Sequence, residues 1–166
     1  DNGCSPMADF EELADYNHNP SYIFRGMKSD IFEGGHRIPF IIRWPSTIKA
    51  GSASDQTFCL TDLTATMADI TSYDLPDNAA EDSVSNLPIW DGSATGPVRE
   101  AVVHHSINGS FSIRKGKWKL EMCPGSGGWS YPRVNNKVNE AEGMPPIQLY
   151  DLSSDIGEQN NVQDQH

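Results

Sequence analysis

One segment constrains the fold more than any other: Lys28-Ser29-Asp30-Ile31-Phe32-Glu33-Gly34-Gly35-His36-Arg37, followed by the apolar run Ile38 to Trp44. A Glu-Gly-Gly turn between a lysine and an arginine sets two cations at one tight corner. The run after it, broken only by Arg43 and closed by Pro45, has the profile of a strand buried on both faces, as parallel sheets of α/β folds require. Pro39 fits such a strand only near its start. Upstream, Asp1-Asn2-Gly3 offers two hard oxygen ligands of the type that Ca²⁺ or Mg²⁺ takes. Corner and pair together suggest part of a site for an anionic ester beside a divalent metal.

The charge balance narrows the partners. Twelve basic residues stand against 23 acidic ones, for a net charge of −11. Nucleic-acid and acidic-membrane binding need clustered positive charge, so neither is expected. An anionic substrate would have to be held by local cations against the global field. No stretch of 18 apolar residues suits a membrane-spanning helix. Cys4, Cys59 and Cys123 are too few and too widely spaced for a disulfide scaffold or a CxxC metal knuckle. They read as small buried side chains, or as one disulfide plus a leftover.

Along the chain, residues 8–16 read as a short helix or turn. Thr61 reads as the N-cap of a helix through Ile70, with Leu63, Met67 and Ile70 on one apolar face and Asp62 complementing the helix dipole. Residues 73–98 read as a long connection. A β-meander follows: Ala101–His105, Gly109–Arg114, and Lys117–Met122 after a Lys115-Gly116 turn, with Gln148–Leu152 as a last strand. Alternation predicts Lys117, Lys119 and Glu121 on a solvated face and Phe111 and Ile113 on the packed one. Residues 124–145, rich in Gly, Pro and Asn, read as an exposed loop.

These elements in this order resemble the C-terminal half of a type I, formylglycine-dependent sulfatase of the arylsulfatase kind. The resemblance is carried by Asp1-Asn2-Gly3, Lys28 with Glu33-Gly34-Gly35-His36-Arg37-Ile38-Pro39, Leu60–Thr66, Phe111–Leu120 and Leu149-Tyr150-Asp151-Leu152. It implies an alkaline-phosphatase-like α/β fold. Residues 1–95 would end the large α/β domain, and 96–166 would form a small lobe of four-stranded antiparallel sheet plus helix. It implies sulfate-ester hydrolysis with Asp1 and Asn2 on a calcium ion and Lys28, five residues before Glu33, on the sulfate. The family's nucleophile is a formylglycine made within a Cys/Ser-x-Pro/Ala-x-Arg motif. Cys4-Ser5-Pro6-Met7-Ala8 lacks the arginine and stands beside the metal pair, so Cys4 is not that residue. The chain is therefore expected to be a fragment, inactive alone, whose partner is the N-terminal portion of the same enzyme. Periplasmic or secreted location follows from the family only.

Remaining candidates carry two readings each. Arg37 reads either as a second cation at the anion corner or as a structural ion pair with Glu33 or a nearby carboxylate. His36 either packs at the corner or touches substrate. His104 and His105, adjacent in a strand, point to opposite faces, and His105 is the candidate for gripping a sugar, with a satisfied structural histidine as the alternative. Trp129 either stacks on a sugar ring or packs. Arg114, Lys115, Lys117 and Lys119 form a solvated face or flank an anionic glycan. Two other functions remain open: a phosphatase or phosphodiesterase on the same scaffold, and a carbohydrate-binding lobe formed by 101–152.

Overall fold

The computed structural model describes residues 2–134 and 139–166. Two compact units divide the chain, one made of residues 1–39 with 103–166, the other of residues 40–102. The first 39 residues thus pack with the C-terminal sheet. The boundary between residues 95 and 96 that the resemblance implies remains a proposal.

In the first unit, α1 (Phe10–Asp15) is capped by the Asp9 carboxylate, which accepts from the Glu12 amide at 3.1 Å. A single turn, α2 (Glu33–His36), follows the Lys28 segment. The sheet comprises β1 (Val102–His105), β2 (Phe111–Lys115), β3 (Trp118–Glu121) and β4 (Gln148–Asp151) in sequential order. β3 runs antiparallel to both neighbours and pairs Arg114 with Lys119, Lys119 with Tyr150, and Glu121 with Gln148. The meander lies where period-2 alternation predicts it.

Its faces are reversed from the sequence reading. Lys119 and Glu121 are fully buried, whereas Phe111 is 54% exposed and Ile113 39%. Of the three residues expected in solvent, only Lys117 is there. The cause is a set of charges supplied from distant sequence. Lys119 Nζ donates to Glu158 Oε1 at 2.7 Å and to the Ile31 carbonyl at 2.8 Å, and stands 3.3 Å from Glu33 and from Glu121. A buried ammonium so surrounded keeps its charge. Burial alone would lower its pKa, but the Glu158, Glu121 and Glu33 carboxylates together raise it.

In the second unit, α3 (Asp62–Thr71) leaves Leu63 and Ile70 of the expected apolar face only half-buried and buries a polar stripe beside it. Asp62, Thr66 and Ala68 are buried and Met67 is 47% exposed. Thr61 makes no side-chain cap. The polar face is buried because it is satisfied: Asp62 accepts from the Cys59 and Val84 amides, each at 2.9 Å, and pairs with Arg99. Thr66 accepts from the Asn86 amide at 2.9 Å. Within the long connection lies one further turn, α4 (Leu87–Trp90).

Ile38 to Trp44 is not a strand. Among the described residues nothing pairs with it, and Phe40 and Ile41 are exposed. A strand needs a neighbour to take its amides and carbonyls, so apolar content alone does not make one.

Candidate functional site

The Lys28 corner is built by backbone packing that only glycine permits. The Gly3 amide donates to the Gly35 carbonyl, and the Lys28 amide donates to the Cys4 carbonyl, each at 2.9 Å. A Cβ on Gly3 would fall 1.7 Å from the Gly34 carbonyl oxygen, and one on Gly34 would fall 2.4 Å from the carbonyl oxygens of Arg25 and Gly26. The chain entering at Asn2 is thereby laid between the Glu-Gly-Gly turn and Lys28. Asn2 is exposed. Asp1 lies outside the described residues.

Lys28 is half-buried. In the unit that contains it, Arg25, Arg37, Arg114, Lys117, Lys119 and Arg133 all have acceptors. For the Lys28 ammonium there is none among the described residues. The residue after it, Ser29, has φ 87°, a left-handed conformation uncommon for a side chain other than Gly, Asn or Asp. Its carbonyl accepts from the Ile107 amide at 2.9 Å, which brings the turn after His105 to the corner.

Asp30, fully buried, was not singled out in the sequence and is the clasp of this site. Its Oδ2 accepts from the Met27 amide at 2.8 Å and from the Ser130 hydroxyl. Its Oδ1 accepts from the Trp129 amide at 2.7 Å and the Ser130 amide at 3.0 Å. Gly128 lies so close that a Cβ there would stand 2.5 Å from the Ser29 carbonyl oxygen. A signal was present: an aspartate directly before the buried pair Ile31-Phe32 must find donors.

Glu33 is held by three cations. Arg37 Nε is 2.6 Å away, Arg114 3.2 Å and Lys119 3.3 Å. Burial would raise its carboxyl, but Lys119, Arg37 and Arg114 overcome that and lower it to about 2. Arg37 is thus the structural partner of Glu33, and Arg114 belongs to the same group rather than to a solvated face. A hollow of about 340 Å³ opens beside Gly34 and Arg37, lined also by Cys4 and Phe24; Lys28 does not line it.

The two adjacent histidines part as expected. His104 turns inward and stacks on His36 with ring centroids 4.3 Å apart. Burial drives both down, His36 to about 3 and His104 to about 4, with nearby Lys119 acting in the same direction. Both are neutral at pH 7. His105 faces solvent beside Phe111, with Nδ1 3.0 Å from the Ser106 carbonyl. The three cysteines are unpaired.

Among the described residues no three His, Cys, Asp or Glu side chains gather as a metal site. Ca²⁺ takes six to eight oxygens. The Asp1-Asn2 pair is therefore at most a partial ligand set. No helix among the described residues is long and apolar enough to cross a membrane.

Comparison with known proteins agrees with this layout. No family model matches the chain. An N-acetylgalactosamine-6-O-sulfatase of Bacteroides thetaiotaomicron is 36% identical over all of the chain and 31% of its own length. An arylsulfatase of Hemicentrotus pulcherrimus is 35% identical over 82% of the chain and 27% of its own length. Human arylsulfatase A is 29% identical over 86% of the chain and 29% of its own length. A solved Bacteroides thetaiotaomicron structure, from a core genetic locus for metabolism of multiple glycosaminoglycans, superposes with a TM-score of 0.77 at 35% identity. That match covers 95% of this chain and 31% of the other. The crystal structure of Ps i-CgsB with k-i-k-neocarrahexaose shares the fold, with a TM-score of 0.65 at 19% identity over 99% of this chain and 31% of its own. The chain spans about a third of the length of the curated relatives it matches. It has the alkaline-phosphatase-like sulfatase fold in its small-sheet portion, and it belongs to the sulfatase family.

Proposed function

We propose that this chain is the C-terminal part of a calcium-dependent sulfatase that hydrolyses sulfate esters of a carbohydrate, and that Lys28 holds the sulfate. The observation that carries the reading is the Lys28 ammonium. It has no acceptor among the described residues of a unit in which the neighbouring cations are paired, and it sits on a backbone corner fixed by two hydrogen bonds and three glycines. The preference for a sugar is supported by the relative that acts, by its name, on N-acetylgalactosamine 6-O-sulfate.

In hydrolysis water is added across the ester, giving the alcohol and hydrogen sulfate. Negative charge spreads over the sulfate oxygens and grows on the bridging oxygen as the S–O bond breaks. An ammonium aimed at those oxygens stabilises the transition state more than the ground state. Lys28, immobilised through its own amide and the strained Ser29, meets that requirement. Asp1 and Asn2 would supply two oxygens to the calcium ion, and the exposed His105 would contact the sugar. The nucleophile, a formylglycine, and the remaining metal ligands would come from the N-terminal portion. The family suggests periplasmic or secreted location.

The test is sulfate release by the full-length enzyme from sulfated oligosaccharides and from an aryl sulfate. Lys28→Ala should lower kcat/KM by two or more orders of magnitude, the range seen when one such donor is removed. Absence of sulfate release from every substrate would sink the sulfatase reading. A Lys28→Ala enzyme near wild type would remove Lys28 from the site.

A further inference from the structure

We infer that Trp129 is the wall against which a pyranose ring of the substrate lies when its sulfate ester is at Lys28. The inference rests on the sulfatase reading. It starts from a mismatch between backbone and side chain. The loop carrying Trp129 is tied down at nearly every residue: the Ile31 amide donates to the Ser126 carbonyl at 2.8 Å, the Gly128 amide to Ser126 Oγ at 3.1 Å, and the Trp129 and Ser130 amides to Asp30. Yet the indole is 43% exposed, and its N–H has no acceptor among the described residues. A tryptophan that served the core would turn inward from so rigid a loop.

Place matters as much as exposure. Asp30 is two residues after Lys28, and Gly128 packs flush on the Ser29 carbonyl. The Asp30 carboxylate and the close approach of Gly128 to Ser29 therefore fix the backbone of Trp129 relative to that of Lys28 before any ligand arrives. The same Ser29 carbonyl holds Ile107, which brings the turn after His105 to the corner. An aromatic face covers the C–H surface of a sugar, and a free indole N–H can donate to a hydroxyl or ring substituent. A cation for the sulfate and a flat apolar face for the ring, on one rigid frame, match a sulfated pyranose and not a flexible alkyl sulfate. Trp129 is thus a specificity-determining residue and Asp30 a positioning residue.

The test uses full-length wild type, Trp129→Ala and Trp129→Tyr with N-acetylgalactosamine 6-sulfate and a panel of sulfated disaccharides, following sulfate release. Expected is a rise in KM of about tenfold or more for Trp129→Ala with kcat changed less than threefold; tenfold in affinity is about 1.4 kcal/mol. Trp129→Tyr, which keeps a flat ring, should stay within about threefold of wild type in KM. The side chain is exposed, so the fold should survive either change, and circular dichroism would show it. If wild type turns over a sulfated sugar and Trp129→Ala keeps its KM within twofold, this inference is overturned while the sulfatase reading stands. If wild type releases sulfate from no sugar in the panel, the proposed function itself fails and this inference with it.

Discussion

Lys119 Nζ lies 2.7 Å from Glu158 Oε1, and neither side chain has any exposed surface. β3 and the C-terminal tail are thereby joined through a buried ion pair to the Glu33 corner, because Glu158 Oε2 also accepts from the Glu33 amide at 2.7 Å. Glu121 completes the group. Burial pushes its carboxyl well above the usual range, Glu158 adds to that, and the Lys119 cation only partly offsets it. Of the three acidic side chains around Lys119, Glu121 thus holds a proton most readily, while Glu33 has Arg37 and Arg114 as further cations.

Removing Lys119 should therefore cost far more than removing the charge of Glu121. Lys119→Met leaves Glu33 and Glu158 buried without their shared cation, a change worth about 3–5 kcal/mol of stability. Glu121→Gln resembles the protonated acid and should cost less than about 1.5 kcal/mol. Chemical denaturation of the full-length enzyme would measure both. Equal losses for the two variants would contradict a raised Glu121 carboxyl.

The corner glycines make a second, steric prediction. Gly34→Ala would put a methyl 2.4 Å from two carbonyl oxygens, and neither belongs to a flexible side chain. Gly35→Ala meets the Asp30 carbonyl oxygen at 2.2 Å. By contrast, nothing lies within 4 Å of a Cβ on Gly96. Gly34→Ala and Gly35→Ala should abolish soluble full-length protein or lower its melting temperature by many degrees, whereas Gly96→Ala should change its stability by less than about 0.5 kcal/mol. A well-folded, fully active Gly34→Ala enzyme would show that the corner is not packed on backbone.

How far the sequence reveals this molecule depends on how local each cause is. The meander was legible because alternation and a Lys115-Gly116 turn act over a few residues. Its faces were not. The rule that charged side chains turn to water fails at Lys119 because Glu33 and Glu158, 86 and 39 positions away, supply the compensation, and at Glu121 because the buried Lys119 stands beside it. The same holds for α3, where Arg99 satisfies Asp62 from 37 residues away and the polar face goes inward. Ile38–Trp44 was misread as a strand because apolar content speaks to burial, while a strand also needs a pairing neighbour. That Lys28 stands at the Glu-Gly-Gly corner was legible, and its role on a sulfate is a proposal. The clasp at Asp30 was not, since its five donors come from Met27, Ser29, Trp129 and Ser130, and only folding brings the last two near.

The stacked histidines give a pH dependence with a definite sign. His36 and His104 are held neutral down to about 3 and about 4, against 6.5 in an unfolded chain. As pH falls through 6.5 the unfolded chain takes up protons that the folded one refuses, so stability falls, by at most about 1.4 kcal/mol per pH unit per ring. Arg37, Arg114, Lys119 and Glu33 face the pair; Glu33, lowered from 4.5 to about 2, withdraws its own contribution only below about pH 4.5. Between pH 6.5 and 4.5 the decline should therefore come from the histidines. Replacing His104 with Phe keeps the stack and removes one titrating ring, and should flatten the decline by up to half. An unchanged slope in His104→Phe and His36→Phe would assign the acid lability elsewhere.

Asp62 and Arg99 offer the parallel test in the other unit. Burial would raise the Asp62 carboxyl, but hydrogen bonds from Arg99 and from the Val84 and Cys59 amides lower it. Arg99 also donates to the Ala101 and Asp82 carbonyls, so one guanidinium ties α3 to the end of the long connection. Asp62→Asn removes the charge that Arg99 faces and puts a donor where an acceptor is needed by either Val84 or Cys59. A loss of about 2–3 kcal/mol is expected, the scale of an unsatisfied buried polar group next to an unpaired charge. Arg99→Met should cost a similar amount, and the double variant much less than the sum, because the two changes remove the same interaction. Additive losses in that cycle would mean that Asp62 is held by the amides of Cys59 and Val84 alone, and that Arg99 contributes through its carbonyl contacts.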